Sequence, residues 1–352
     1  MPASINASDI RMLLPGHLTS SMNSGTSTPV NGSTHPNPTI QYVSVPSNSA
    51  YSPIESLEII SRKGVHKATM RLDRTFLSAV SAGMILSFAC ATLISTNTAP
   101  WFQENAPGLI RTLAALVFPY GLVLVQLTGS DLCTGSFLYT TVAALHGRIS
   151  VLKMLRHWFV TFWGNLAGCL FVCCVIVGYG GLFEGELYHE ESLLFAYKKQ
   201  IAPEWHQIFL KGIGANWLVC IACYLGCSGR DVVSMVVGIW WPTFAFVSLS
   251  FDHVVANMFL IPNAIFQGSP DITVGLYIWK GIIPALLGNI VGGGVFVGCL
   301  YYYLHLQGRE DVAIDGKYYE NPRPCRSDKS IPMTRFWAGR REHQKLDGDH
   351  EV

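Results

Sequence analysis

Two apolar stretches of this 352-residue chain are too long to cross a bilayer only once, and polar residues interrupt each near its middle. A helix needs about 20 apolar residues to span the hydrocarbon core. Residues 110–145 and 232–266 both exceed that length. The first is broken by Thr128-Gly129-Ser130-Asp131-Leu132-Cys133-Thr134-Gly135-Ser136, the second by Ser248-Leu249-Ser250-Phe251-Asp252-His253. Four stretches of ordinary length, 76–94, 158–177, 208–225 and 282–304, bring the expected spans to six. Only 13% of residues are charged and half are apolar or aromatic, against a charged share of about 25% in soluble domains. The chain therefore reads as an all-α integral membrane protein with the lipid bilayer as its solvent. Its net charge of +1 gives no basis for a nucleic-acid partner.

The apolar spans divide the chain into three expected parts. Residues 1–60 form a Ser-, Asn-, Thr- and Pro-rich tail, expected to be disordered because it cannot bury enough apolar surface. Residues 61–307 form the six-span pore domain, and residues 308–352 a charged tail, mostly disordered. Lys and Arg set the orientation. Arg62, Lys63, Lys67, Arg71 and Arg74 precede the first span, Arg148, Lys153 and Arg156 follow the second, and Arg230 follows the fourth. Those segments share one side, so both termini are expected in the cytosol.

The two halves repeat. Gly164-Asn165-Leu166-Ala167-Gly168 in the third span matches Gly288-Asn289-Ile290-Val291-Gly292 in the sixth, and the second and fifth spans are the broken ones. Three spans per unit is an odd number, so the second unit is inverted. A 3+3 inverted repeat with paired broken helices marks transporters and channels. The Gly-xxx-Gly spacings are read as close helix packing alone. Each break starts a half-helix whose free N–H groups carry partial positive charge and attract anions. Two such ends meeting at mid-membrane make an anion site without a fixed Lys or Arg.

His253 is the sharpest single residue, because an imidazole inside a bilayer needs a partner or a cavity, and its ordinary pKa of about 6.5 permits proton exchange near neutrality. Asp252 either holds the imidazole or caps the half-helix. Asp131 reads as a brace for the first break. Asn216 either bonds helix to helix or lines the pore, and Asn257 reads as structural. Cys220 and Cys223 form a CxxC inside a span, without a second pair at zinc-site spacing. They read as packing residues, so no metal and no cofactor are expected. Glu186, His189, Glu190 and Glu191 read as an exposed acidic loop.

Ser250-Phe251-Asp252-His253-Val254-Val255-Ala256-Asn257-Met258-Phe259-Leu260-Ile261-Pro262 resembles the signature block of the formate–nitrite transporter family. Gly226-Cys227-Ser228-Gly229-Arg230-Asp231, Asn216-Trp217-Leu218-Val219-Cys220 and Gly129-Ser130-Asp131-Leu132-Cys133-Thr134-Gly135 resemble its fourth-span region and first break. The resemblance covers about residues 60–307, and the polar tails look like the fungal nitrite-transporter branch. Cys133 stands where bacterial members often carry an aromatic. The resemblance implies an aquaporin-like fold, a plasma-membrane homopentamer with one pore per protomer, and a role in nitrite supply for nitrate assimilation. It places Leu132, Thr134 and Val219 at an outer constriction, and Phe118, Leu122 and Phe246 at a cytosolic one. His253 and Cys133 belong to the pore, with Asp252 and Asn257 supporting the histidine, and Asn216 and Thr134 hydrogen-bonding the anion. The vestibule lysine falls near Lys199, although ungapped counting back from Asn216 lands on Gln200.

Desolvating a bare anion costs many kcal/mol, whereas a neutral weak acid crosses an apolar ring far more easily. The expected function is therefore transport of small monovalent anions of weak acids, nitrite or formate, linked to protons through His253. Hydrosulfide and short monocarboxylates are alternatives of the same kind. A neutral-solute channel of the aquaporin type would carry Asn-Pro-Ala at both breaks, and neither has it. An ammonium channel would normally show a histidine pair and more spans. No HExxH, GxSxG or P-loop supports an enzyme, and a redox sensor built on Cys220 and Cys223 is a weak rival.

Overall fold

The computed structural model describes residues 50–309 and 311–319. The described chain is a helical bundle, and five of its helices are long and apolar enough to cross a membrane: α2 (Leu72–Asn97), α4 (Pro107–Thr128), α6 (Val151–Tyr179), α8 (Trp205–Ser228) and α11 (Val274–His305). The short helix α3 (Pro100–Asn105) joins α2 to α4. After α4 the chain breaks and resumes as α5 (Cys133–Leu145). The stretch at 232–266 is likewise divided, into α9 (Val232–Ser248) and α10 (Val254–Phe266), each short of a full span. Helix α7 (Glu186–Ala196) lies between α6 and α8.

The first helix, α1 (Pro53–Thr69), starts inside the stretch expected to be a disordered tail. Ser52 and Glu55 form a reciprocal capping box and Pro53 occupies the first helical turn. Leu57, Ile60, Gly64 and Ala68 are buried along one stripe. A polar, Ser-rich approach hides that stripe from a composition argument. On the other side of the pore domain, residues 311–319 are bound to the bundle rather than free of it: Arg148 pairs with Asp311 at 2.9 Å, Arg230 with Asp315 at 2.8 Å, and Arg62 donates to the Val312 carbonyl at 2.8 Å. The remainder of both expected tails lies outside the described residues.

The same hydrogen-bond set holds both breaks. Asn165 on α6 donates through Nδ2 to the carbonyls of Ala79 and Asp131, at 2.8 and 3.0 Å, and its Oδ1 accepts from Cys133 N at 2.8 Å. Asn289 on α11 donates to the carbonyls of Gly212 and Asp252, at 2.8 and 3.0 Å, and accepts from Val254 N at 2.8 Å. Cys133 and Val254 are the first residues of α5 and α10. Each carboxamide thus satisfies one helix-start N–H and one loop carbonyl that lipid could not satisfy. The glycines beside them let the helices approach: a Cβ on Gly168 would lie 2.1 Å from the Val80 carbonyl, and one on Gly292 2.2 Å from the Ile213 carbonyl.

Replacing Asn165 or Asn289 by Ala orphans three buried backbone groups, at about 1–3 kcal/mol each. Each variant is expected to lower the thermal unfolding midpoint of the detergent-solubilised protein far more than Asn263→Ala, whose side chain has no hydrogen bond to lose. Equal midpoints would contradict this account of the breaks.

Candidate functional site: the contact between the two breaks

The start of α10 is capped by its own histidine. His253 Nδ1 accepts a hydrogen bond from Ala256 N at 3.2 Å, and Nε2 lies 2.9 Å from Thr134 Oγ1 in the first turn of α5. Because Nδ1 acts as acceptor, the proton of the neutral ring sits on Nε2, which donates to the threonine. The Thr134 hydroxyl has no second partner among the described residues, so its own proton is free to donate. His253 and Thr134 are 3% and 0% exposed, and the breaks of α4–α5 and α9–α10 converge on them.

A cavity of about 210 Å³ leads to this contact. Arg111, Lys198, Lys199 and Lys211 line it beside the carboxylates of Glu191 and Asp252, together with Phe118, Phe246 and His253. The phenyl rings of Phe118 and Phe246 meet edge to face with centroids 5.7 Å apart, and Phe246 lies 5.9 Å from the His253 ring. Lys199 Nζ donates to the carbonyls of Ser250 and Phe251, at 2.9 and 2.7 Å, and pairs with Asp252 at 3.3 Å. Gln200 is buried, with neither side-chain atom hydrogen-bonded. Lys199 therefore lines the cavity and Gln200 does not.

Several expectations are corrected. Asp252 neither holds nor caps: its carboxylate faces Lys199, and the cap is the imidazole itself. Asn257 donates to the Gly281 carbonyl at 3.0 Å and makes no hydrogen bond to the ring. Asn216 spends both amide hydrogens on the carbonyls of Thr134 and Asn289, at 3.1 and 2.7 Å, which leaves only an unpartnered acceptor oxygen. An acceptor cannot hydrogen-bond an anion. Phe118 and Phe246 line the cavity on the Lys199 side, whereas Leu122, Leu132, Cys133, Thr134 and Val219 do not. The aromatic pair therefore lines the Lys199 side of the Thr134–His253 contact, and Leu122, expected beside it, does not. Phe118 sits at the midpoint of α4, and Phe246 in the last turn before the carbonyls that Lys199 holds. Glu191 is buried rather than exposed, and accepts from the amides of Asn97 and Gln103.

The structure adds residues that sequence reasoning passed over. Asp131 braces the first break as expected, but through Lys67 at 3.0 Å, Ser136 at 2.6 Å and His157 at 3.2 Å. The Lys67–Asp131 pair occupies at the first break the place of Lys199–Asp252 at the second. The shared Asp in the two interrupting segments was the available signal.

A family model described as "Formate/nitrite transporter" matches residues 54–303. The chain belongs to the formate/nitrite transporter family. It is 33% identical over 274 residues to a probable formate transporter of Methanothermobacter thermautotrophicus, covering 74% of this chain and 99% of that one. It is 33% identical over 276 residues to a formate channel of Haemophilus influenzae, with 73% and 96% covered. Among solved structures, a pentameric formate channel with formate bound superposes with a TM-score of 0.61 at 31% identity, over 67% of this chain and 98% of that one. The family and its structural neighbours are membrane transporters and channels, not enzymes.

An asparagine at position 253 keeps a side-chain acceptor for Ala256 N, and a phenylalanine does not. His253→Phe is expected to be less stable than His253→Asn by about 1 kcal/mol, the usual worth of an N-cap, read as a lower unfolding midpoint in detergent. Equal midpoints would remove the capping role.

Proposed function

We propose that this protein passes small monovalent anions of weak acids, formate or nitrite, through the Thr134–His253 contact, and that their passage is linked to a proton. The reading rests on one observation above all: two donors in series, His253 Nε2–H and the Thr134 hydroxyl, stand beneath an aromatic constriction and a cation-lined cavity. On this reading Arg111, Lys198, Lys199 and Lys211 concentrate the anion. Entering the low-dielectric slit disfavours its charged form, so it takes a proton from the cavity's water before passing Phe118 and Phe246. The Thr134 hydroxyl then donates to a substrate oxygen while the imidazole holds the hydroxyl in place. Leu122, Leu132, Cys133 and Val219, all buried, form the apolar wall on the far side.

The remaining features follow the same proposal. Six spans arranged as a 3+3 inverted repeat account for two breaks held by matching asparagines, with α9 and α10 together making the fifth span. The Lys- and Arg-rich connections support termini in the cytosol and the Lys199 cavity outside, at the plasma membrane. A homopentamer would cover the apolar outer surface of α2, α6 and α8, where Leu77, Phe159 and Leu210 are 67%, 65% and 58% exposed. The fungal nitrite-supply role rests on the sequence resemblance alone.

In proteoliposomes holding the purified full chain, uptake of labelled formate and nitrite is expected to rise as external pH falls. His253→Phe, which leaves the Thr134 hydroxyl unheld, should slow uptake of both anions while keeping that dependence, because the proton comes from the cavity's water. Wild-type uptake that does not change with external pH would overturn the proton role, and a wild type that moves neither anion would overturn the function.

A further inference from the structure

On the α1 side of the Thr134–His253 contact, strong hydrogen-bond donors are aimed at poor acceptors. Gln126 Nε2 donates to Cys223 Sγ at 2.9 Å, and Lys63 Nζ to Cys227 Sγ at 3.3 Å. These are the only acceptors the two groups have among the described residues. A thiol sulfur accepts weakly, so an amide N–H and an ammonium are both under-used in a part-buried place. Tyr139 links them: its hydroxyl donates to Gln126 Oε1 at 3.0 Å and stands 3.8 Å from Cys227 Sγ. Asp131, the carboxylate of the adjoining break, is already held by Lys67, Ser136 and His157. Apart from Gln126 Oε1 and the Tyr139 oxygen, which already bond each other, the acceptors recorded in the cluster are thiol sulfurs.

It also adjoins the contact between the breaks. Cys220, one turn before Cys223 on α8, donates through Sγ to the Thr134 carbonyl at 3.6 Å. Gly135 follows Thr134, and a Cβ placed there would come within 3.3 Å of Cys223 Sγ. An anion leaving Thr134 toward α1 therefore meets the Cys223 thiol and the Gln126 amide next, and Tyr139 and Lys63 beyond.

We infer that Gln126, Tyr139 and Lys63 form a second station for a small monoanion on the α1 side of His253, where they exchange thiol sulfur for an anion's oxygen. The inference rests on the proposed pathway. Cys223 and Cys227 act in it as replaceable acceptors: they occupy the donors weakly enough to release them to a passing anion.

The test turns on the sign of the effect. In proteoliposomes holding the full chain, with labelled formate as probe, Cys223→Ala removes the competing acceptor and is expected to lower the half-saturating formate concentration by about fivefold. Cys223→Ser supplies a better acceptor for the Gln126 amide and should raise it by about as much. Gln126→Leu should raise it by about tenfold. A loss of packing alone would move Cys223→Ala and Cys223→Ser the same way. Should both shift together, or neither shift while the wild type carries formate, the station is wrong and the pathway stands. Should the wild type carry neither formate nor nitrite, both readings fall.

Discussion

Non-helical backbone inside a membrane has to be satisfied by protein, and in this fold two carboxamides do it. Asn165 and Asn289 each take the first N–H of a half-helix and return two donors to carbonyls, one from the loop and one from a facing helix. Three bonds per side chain fix where α5 and α10 begin, and hence where Thr134 and His253 stand. A carboxamide suits this position because it offers two donors and an acceptor in one plane without a charge to desolvate. The glycines flanking each asparagine serve the same end, since a wider helix contact would pull the amide out of reach of the opposite carbonyl.

Given two breaks built alike, the difference between them carries the chemistry. The residue before the first half-helix is Leu132, which gives no side-chain cap, and the one before the second is His253, which caps its own helix. The imidazole thus spends Nδ1 on structure and presents only an N–H to the neighbouring threonine. Protonating Nδ1 would cost the Ala256 hydrogen bond and place a charge in a buried site. That arrangement favours a neutral ring acting as donor. On the proposed reading, the proton that crosses with the anion is picked up in the cation-lined cavity and not stored on the histidine.

Periodicity and apolar length made both breaks legible in the sequence, together with Thr134, His253 and the matched Gly-Asn-x-x-Gly segments. What composition could not show was pairing at long range. Lys67 and Asp131 are far apart in sequence, as are Lys199 and Asp252, and no local pattern says which lysine reaches which break. Asn165 and Asn289 were in view inside the glycine motifs, but a packing explanation for the glycines sufficed and their amides went unread. Helix α1 was missed for a related reason: its buried stripe of Leu57, Ile60, Gly64 and Ala68 is narrow and preceded by a polar run. The grouping of Phe118 and Phe246 with Leu122 came from resemblance, which carries residue identity better than it carries which side chains share a cavity.

That placement bears on how an anion would meet the protein. With the aromatic pair on the Lys199 side, four cations and two phenyl rings line the same cavity. On the proposed reading, an anion drawn in by Arg111, Lys198, Lys199 and Lys211 meets two phenyl rings there, where its ionised form is disfavoured. Attraction and desolvation then act on the same ion within one cavity, and protonation is the change that relieves both. On the opposite side the order is reversed: polar side chains, Gln126, Tyr139 and Lys63, follow closely after Thr134, and the surroundings again suit a charged form. A weak acid carried neutral past the rings would meet donors able to take it back as an anion, which gives the pathway a physical reason for its asymmetry.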